Sequence, residues 1–344
     1  TCAASTDTIS ITVDPLPTVA NAGADQTICA PTATLAANTP TIGTGAWTVI
    51  AGTGAVTTAN DPNSGVTGLT TGVTTFVWTI SNGTCAASTD TISITVDPLP
   101  TVANAGADQT ICAATATLAA NTPTIGTGAW TVIAGTGAVT TASDPNSGVT
   151  GLTTGVTTFV WTITNGTCAA STDTISITVD PLPTVANAGA DQTICAATAT
   201  LAANTPTIGT GAWTVIAGTG AVTTANDPNS GVTGLTTGVT TFVWTISNGT
   251  CAASTDTISI TVDPLPTVAN AGADQTFCAP TATLAANTPT IGTGAWTVIA
   301  GTGAVTTAND PNSGVTGLTT GVTTFVWTIS NGTCAASTDT ISIT

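Results

Sequence analysis

Residues 75–96, TFVWTISNGTCAASTDTISITV, contain two segments in which apolar and polar residues alternate. The segments are 75–80 and 91–96, and a period of two is typical of strands that bury one face. The pair Asn82-Gly83 between them is a common tight hairpin turn. The stretch therefore predicts two strands that pair in antiparallel fashion.

This stretch lies in an 83-residue unit that occurs four times with few changes. Two sets of cysteines repeat at that step: Cys29, Cys112, Cys195 and Cys278, and then Cys2, Cys85, Cys168, Cys251 and Cys334. The first twelve residues, TCAASTDTISIT, are identical to the last twelve. We therefore expect the last strand of a preceding, truncated repeat at residues 1–12 and four repeats at residues 13–95, 96–178, 179–261 and 262–344.

Each repeat has further strand candidates and no stretch of helical period. In the first repeat they are Ala24–Ile28, Thr32–Ala37, Ala46–Ile50, Ala55–Thr58 and Val66–Leu69. About seven short, Thr-rich strands predict an all-β chain, a tandem array of small immunoglobulin-like antiparallel β-sandwich domains. Two prolines in the junction 13–18 hold it extended and stiff, so we expect the array to form an extended rod.

The expected core of the first repeat is small for a domain of this length. It comprises Leu35, Trp47, Val49, Phe76, Trp78, Ile80, Ile92 and Ile94. Small domains bury a modest share of their surface, so covalent bonds would add needed stability.

We therefore expect the cysteines to be oxidised in pairs. The residues expected to form disulfides are Cys29, Cys85, Cys112, Cys168, Cys195, Cys251, Cys278 and Cys334. Pairing within a repeat would join Cys29 to Cys85 and leave Cys2 without a partner, and we favour this reading. However, in an ordinary sandwich the turn that carries Cys29 and the hairpin turn that precedes Cys85 lie at opposite ends, roughly 20 Å apart. That distance is too long for a bond. The alternative joins Cys29 to Cys168 of the next repeat, and free thiols are a third reading.

Charge and hydropathy exclude several classes of partner. The chain has 17 acidic residues and no Lys, Arg or His, giving a net charge of −17, which argues against binding to nucleic acid or an anionic membrane. Polar residues, Gly or Pro interrupt each apolar run well before the roughly 20 residues that span a bilayer. We expect no direct membrane insertion.

Catalysis is not expected either. General acid–base chemistry near neutral pH uses His, a tuned carboxylate, Lys or Cys, and here only Asp, Ser, Thr and oxidised Cys are present. The sequence therefore predicts neither an enzyme nor a cofactor.

Four aspartates recur in every repeat, and in the first they are Asp14, Asp25, Asp61 and Asp90. Calcium takes six to eight oxygen ligands, so one hypothesis is a calcium site built from these carboxylates. None of them has the dense spacing of a calcium loop, and Asp61 precedes Pro62 in a turn. We favour solvated or turn-capping roles.

A family resemblance rests on AGADQTIC at 22–29, FVWTI at 76–80, NGTC at 82–85 and DTISITV at 90–96. These motifs resemble the PKD/Ig-like repeats of giant gliding-motility adhesins of the Bacteroidetes. The resemblance implies an extracellular filament at the cell surface, exported by type IX secretion and moved by a surface motor. It implies contact with external polysaccharide or solid surfaces, while the secretion and motility machinery would bind regions outside this sequence.

The Asp-Thr-aliphatic pattern is similar to an O-glycosylation motif of the same bacteria. The candidate acceptors are Thr8, Thr91, Thr174, Thr257 and Thr340. The alternative is that these threonines are ordinary strand residues.

Two functions follow from a uniform array. The first is a structural stalk segment of a surface adhesin, in which reach and stiffness are the task. In the second, each repeat is itself a weak polysaccharide-binding module that acts by avidity. Exposed tryptophans would favour the second function and buried ones the first.

Overall fold

The computed structural model describes residues 2–344, and within that range all regular structure is β-strand. The chain divides into two compact units between Val179 and Asp180. Each unit contains two of the predicted repeats. The described residues contain no helix able to cross a membrane.

The first unit has fourteen strands, seven for each repeat. Those of the first repeat are β1 (Gln26–Ile28), β2 (Ala33–Thr34), β3 (Thr44–Ala51), β4 (Ala55–Val56), β5 (Gly65–Thr67), β6 (Gly72–Ser81) and β7 (Ser88–Val96). Those of the second are β8 (Gln109–Ile111), β9 (Ala116–Thr117), β10 (Thr127–Ala134), β11 (Ala138–Val139), β12 (Gly148–Thr150), β13 (Gly155–Thr164) and β14 (Ser171–Val179).

The second unit repeats this order. The third repeat has β15 (Gln192–Ile194), β16 (Ala199–Thr200), β17 (Thr210–Ala217), β18 (Ala221–Val222), β19 (Gly231–Thr233), β20 (Gly238–Ser247) and β21 (Ser254–Val262). The fourth has β22 (Ala282–Thr283), β23 (Thr293–Ala300), β24 (Ala304–Val305), β25 (Gly314–Thr316), β26 (Thr323–Ser330) and β27 (Ser337–Ile343). In this last repeat a single bridge, Gln275 to Ile343, stands where the others have a first strand.

Each of the first three repeats consists of a four-stranded sheet and a three-stranded sheet, which confirms the predicted array of sandwich domains. In the first repeat the strand orders are β1-β7-β6-β3 and β2-β5-β4. All pairs are antiparallel except β1 with β7, which run parallel. The parallel pair matters for the junction, because β1 and β7 end at the same edge of the repeat, with Ile28 opposite Val96.

The core lies between the two sheets and contains seven of the eight predicted side chains, all except Val49. Val49 is 37% exposed, so its assignment to the core is wrong. The pairing of β3 with β6 shifts register between Val49 and Ala51, and such a bulge turns the side chains away from strict alternation. The core also includes residues that the pattern missed: Ala20, Ala22, Val66, Leu69 and Val96.

The segment before the first repeat differs from its prediction. Residues 2–12 form no strand, and Ile9 and Ile11 are more than 80% exposed. A strand needs a neighbour for its backbone groups, and no described segment pairs with this one. The strand expected at residues 1–12 is therefore absent from the described part.

Candidate functional site

Cys29 and Cys168 lie where the first two repeats meet, and Cys29 directly follows β1. Because β1 runs parallel to β7, Cys29 lies beside the residue that leaves β7 for the second repeat, Asp97. The Asp97 N–H donates to the Ile28 carbonyl at 2.9 Å, and Cys29 Sγ is 3.6 Å from the Asp97 carbonyl oxygen.

Cys168 approaches the same residue from the second repeat. It closes the turn between β13 and β14, where its N–H donates to the Asn165 carbonyl at 3.0 Å. The Asn165 amide donates to the Pro98 carbonyl at 2.8 Å, and the Thr167 N–H donates to Asp97 Oδ2 at 3.3 Å. Gly166 has φ +52, and a side chain there would collide with the Asp97 carboxylate. The Asn-Gly turn is therefore fitted to the junction.

A disulfide joins Cys29 to Cys168, with a Cα–Cα distance of 5.1 Å. In the second unit Cys195 is bonded to Cys334 at the same distance. Our preferred pairing within a repeat is thus wrong, and the alternative between consecutive repeats is the observed one. The reason is topological: the parallel strand delivers Cys29 to the edge of its repeat that faces the next repeat.

The remaining cysteines differ in oxidation state. Cys112 and Cys251 are disulfide-bonded as well. The free cysteines among the described residues are Cys2, Cys85 and Cys278. For Cys85 and Cys278 the predicted oxidation is not observed.

Residues 97–108, which we call the leading segment of the second repeat, run beside β14 without forming a strand. The Ser171 hydroxyl and the Asp173 carboxylate accept hydrogen bonds from Ala103 N–H at 2.9 Å and Ala105 N–H at 2.8 Å. On its other side, Asn121 accepts from the Asn104 N–H and donates to the Val102 carbonyl. Side chains thus anchor this segment together with two backbone bonds, from the Thr101 N–H to the Ile125 carbonyl at 3.1 Å and from the Asn121 N–H to the Asn104 carbonyl at 2.9 Å.

Sequence reasoning missed these anchors, although a signal exists. Ser171 and Asp173 continue the inward face of β14, whose later members Ile175, Ile177 and Val179 are buried. Polar residues on the buried face of a strand require partners, and the leading segment provides them.

The four aspartates considered for calcium lie at separate places. Each accepts a backbone N–H: Asp14 from Thr84, Asp25 from Ser93, Asp61 from Asn63 and Asp90 from Ala22. Over residues 2–344, no group of three or more His, Cys, Asp or Glu side chains lies close enough to hold a metal ion. The structure therefore does not bring these carboxylates together.

The candidate glycan acceptors and the tryptophans occupy opposite environments. The five candidate glycan acceptors, Thr8, Thr91, Thr174, Thr257 and Thr340, are all exposed. All eight tryptophans are buried; in the first repeat Trp47 and Trp78 form a tilted pair with ring centroids 5.1 Å apart. No tryptophan is presented to solvent as a platform for a sugar ring.

No family model and no curated protein sequence matches the chain. Solved structures with a similar arrangement include the eight N-terminal Ig domains of Down syndrome cell adhesion molecule, at 15% identity and a TM-score of 0.48, covering 96% of this chain and 49% of that one. A three-Ig-domain segment of titin matches at 11% identity and a TM-score of 0.46, over 72% and 98% of the two chains. The insect immune protein hemolin matches at 10% identity and a TM-score of 0.30, over 96% and 99%. The chain spans about half of the length of the first of these structures.

Proposed function

We propose that this chain is a tension-bearing segment of the stalk of a long, filamentous cell-surface adhesin that works outside the cell in gliding motility and surface attachment. The observation that supports this proposal is the pair of disulfides that join the first repeat to the second and the third repeat to the fourth. Stable structural disulfides are characteristic of proteins outside the cytosol. The resemblance to gliding adhesins adds the expected setting, with export by type IX secretion and an external polysaccharide or solid surface as the partner.

The bond between Cys29 and Cys168 changes how a pulling force crosses the first unit. The covalent route from Val13 to Val179 needs 16 residue steps to Cys29 and 11 from Cys168 onward, because the bond bypasses the 139 steps between the cysteines. A fully extended chain spans about 3.4 Å per residue, so this route reaches roughly 90 Å, against roughly 560 Å without the bond. Most strands of both repeats lie inside the bypassed loop and are spared the tension.

Such a connection suits an adhesin stalk that must transmit force without lengthening. An unbonded domain releases its whole chain when it unfolds under load, whereas a bonded pair can release only the short route. The stalk would then keep its length when a cell drags against a surface.

The alternative, in which each repeat binds polysaccharide, has less support. Aromatic rings that stack on sugars must be exposed, but all eight tryptophans are buried. We therefore assign the repeats a structural role, without catalysis or a cofactor, and place adhesive contacts elsewhere in the filament. Binding of the full chain to a polysaccharide array would contradict this assignment, and the absence of binding is expected.

Single-molecule stretching of the full chain tests the mechanical role. With the bonds Cys29–Cys168 and Cys195–Cys334 intact, the shortest covalent route between the chain ends has 65 of the 343 residue steps. At about 3.4 Å per residue, the oxidised chain should extend to roughly 220 Å and the reduced, alkylated chain to roughly 1,170 Å. The double variant Cys29→Ser with Cys168→Ser should lengthen the oxidised chain by several hundred ångströms. An oxidised chain that reaches the length of the reduced one would overturn the proposal.

A further inference from the structure

Each repeat has one asparagine that is directly followed by glycine. The four pairs are Asn82-Gly83, Asn165-Gly166, Asn248-Gly249 and Asn331-Gly332, and after every other asparagine the next residue carries a side chain. Asparagine is among the thermolabile residues of proteins. A glycine has no side chain to hinder attack of its backbone nitrogen on the preceding amide. These pairs are therefore the places where an asparagine of this chain is converted most readily.

In the second repeat the pair lies in the turn between β13 and β14. Asn165 is half-buried there, whereas Gly166 and Thr167 are exposed. Water thus reaches the glycine side of the pair, while the asparagine side is partly covered.

The Asn165 side chain is held by the segment that leads into its own repeat. Its amide donates a hydrogen bond to the Pro98 carbonyl at 2.8 Å. The other repeats have the same bond, from Asn82 to Pro15, from Asn248 to Pro181 and from Asn331 to Pro264. While this bond is made, the amide cannot rotate toward the glycine nitrogen. The bond therefore opposes the reaction.

The disulfide between the first two repeats fastens the same turn. The Cys168 N–H donates to the Asn165 carbonyl at 3.0 Å, and Cys168 Sγ lies 3.3 Å from the Pro98 carbonyl oxygen, which is the acceptor of the Asn165 amide. The bond to Cys29 therefore keeps the turn against Pro98. Loss of a disulfide destabilises the elements that it joins, and less stable elements open more often.

We propose that the Asn-Gly turn of each repeat is a site of non-enzymatic deamidation, which the closed junction shields. In an opened turn the Gly166 nitrogen attacks the side-chain carbonyl carbon of Asn165. A C–N bond forms, and the amide nitrogen leaves as ammonia with the proton that the glycine nitrogen loses. Water then opens the cyclic imide at either carbonyl, which leaves aspartate or isoaspartate. One water is consumed and one ammonia is released, so no oxidant or reductant is needed.

The product weakens the junction that had shielded the asparagine. A carboxylate at position 165 has no N–H to donate to Pro98. It also adds a negative charge to a turn that already contacts the Asp97 carboxylate, through the Thr167 N–H at 3.3 Å, and like charges at short range repel. Isoaspartate in addition lengthens the backbone of the turn. A junction that stays open long enough to react therefore closes less tightly afterwards.

Mass spectrometry can follow the second turn by itself. Thr164 precedes Asn165 where the other turns have Ser81, Ser247 and Ser330, so the peptide has its own mass. The oxidised full chain is kept in neutral buffer, and samples are then reduced and digested with a non-tryptic protease. The mass increase from amide to acid measures conversion.

Conversion of Asn165 should be slow in the oxidised chain. In the double variant Cys29→Ser with Cys168→Ser it should be about tenfold faster or more, because the turn opens more often. Equal rates in the two chains would overturn the proposed shielding.

A urea-unfolded sample of the full chain shows the reactivity of the pair without any shield. Asn165 should convert fastest there, whereas Asn121, which is followed by Thr122, is the internal control and should convert much more slowly. If Asn165 converts no faster than Asn121 in urea, the pair is not a deamidation site.

A second variant loosens the turn while the disulfide stays in place. Asp97→Ala removes the acceptor of the Thr167 N–H and should speed conversion of Asn165 by a smaller factor, about threefold to tenfold. A rate equal to that of the parent chain would contradict the role of the leading segment in holding the turn.

The effect of the product is tested separately. Asn165→Asp should lower the urea midpoint of the oxidised chain, because it removes the bond to Pro98 and adds charge. Thr164→Ser, which gives the sequence of the other three turns, is the matched control and should leave the midpoint unchanged. An unchanged midpoint for Asn165→Asp would show that conversion does not weaken the junction.

Discussion

The second repeat contains two adjacent regions that are held in place by different means. The hairpin of β13 and β14 has nine consecutive backbone pairs and a buried apolar face. The leading segment, residues 97–108, forms no strand and is attached through side chains of β14 and of Asn121, with isolated backbone bonds to Asn121 and Ile125. The hairpin should therefore respond most to changes in packing, and the leading segment to the loss of single polar groups.

The largest effect is expected at the centre of the hairpin, at Trp161. This side chain is fully buried and lies 5.0 Å from the Trp130 ring. Trp161→Ala would leave a large cavity and should cost about 3–5 kcal/mol of unfolding free energy in the second repeat. Urea unfolding, with hydrogen exchange followed by mass spectrometry to locate the change, measures it.

Trp161→Phe is the matched control for this change. It retains an aromatic ring and removes an indole N–H that has no hydrogen-bond partner in the described structure. It should therefore cost clearly less than Trp161→Ala. Equal costs would mean that the ring's packing does not determine the stability of the hairpin.

A smaller effect is expected at Gly128 of β10. A methyl group added there would overlap the six-membered ring of Trp161, so Gly128→Ala forces the ring to move. Overpacking of this kind costs about 1–3 kcal/mol. In the Trp161→Phe background the same change should cost less, and a double-mutant cycle measures the coupling. The absence of coupling would contradict the close contact between these two residues.

The leading segment provides the contrasting case, through Asp173. Asp173→Ala removes the acceptor of the Ala105 N–H and should cost about 1–2 kcal/mol. Hydrogen exchange should become faster in residues 101–108 while the hairpin stays protected. The neighbouring Thr174→Ala, an exposed position, should change stability by less than about 0.5 kcal/mol. Loss of protection in the hairpin as well would show that the two regions unfold together.

The sequence was sufficient for the hairpin because its information is local. Alternation in 75–80 and 91–96, with Asn82-Gly83 between them, predicts strands β6 and β7 and the buried Phe76 and Trp78. The leading segment was not predicted, because its partners are polar residues distant in sequence.

The disulfide pattern was predicted only in part for a related reason. Spacing and composition are enough to predict that these cysteines are oxidised, but the choice of partner in the pair Cys29–Cys168 depends on the direction of β1. Three residues, Gln26–Ile28, pair in parallel with the end of β7 and thereby place Cys29 at the next repeat. So short a strand has no periodicity that reveals its direction.

The smallest predicted effect concerns Val132, where the alternation of buried and exposed side chains does not hold. Val132, the counterpart of Val49, precedes the register shift in β10 and is 38% exposed. Val132→Thr should therefore change the unfolding free energy by less than about 0.5 kcal/mol. Val149→Thr, at a site 1% exposed on β12, buries a hydroxyl in the core and should cost about 1–3 kcal/mol. Urea unfolding of both variants compares the two strands directly, and equal costs would mean that Val132 packs in the core as simple alternation predicts.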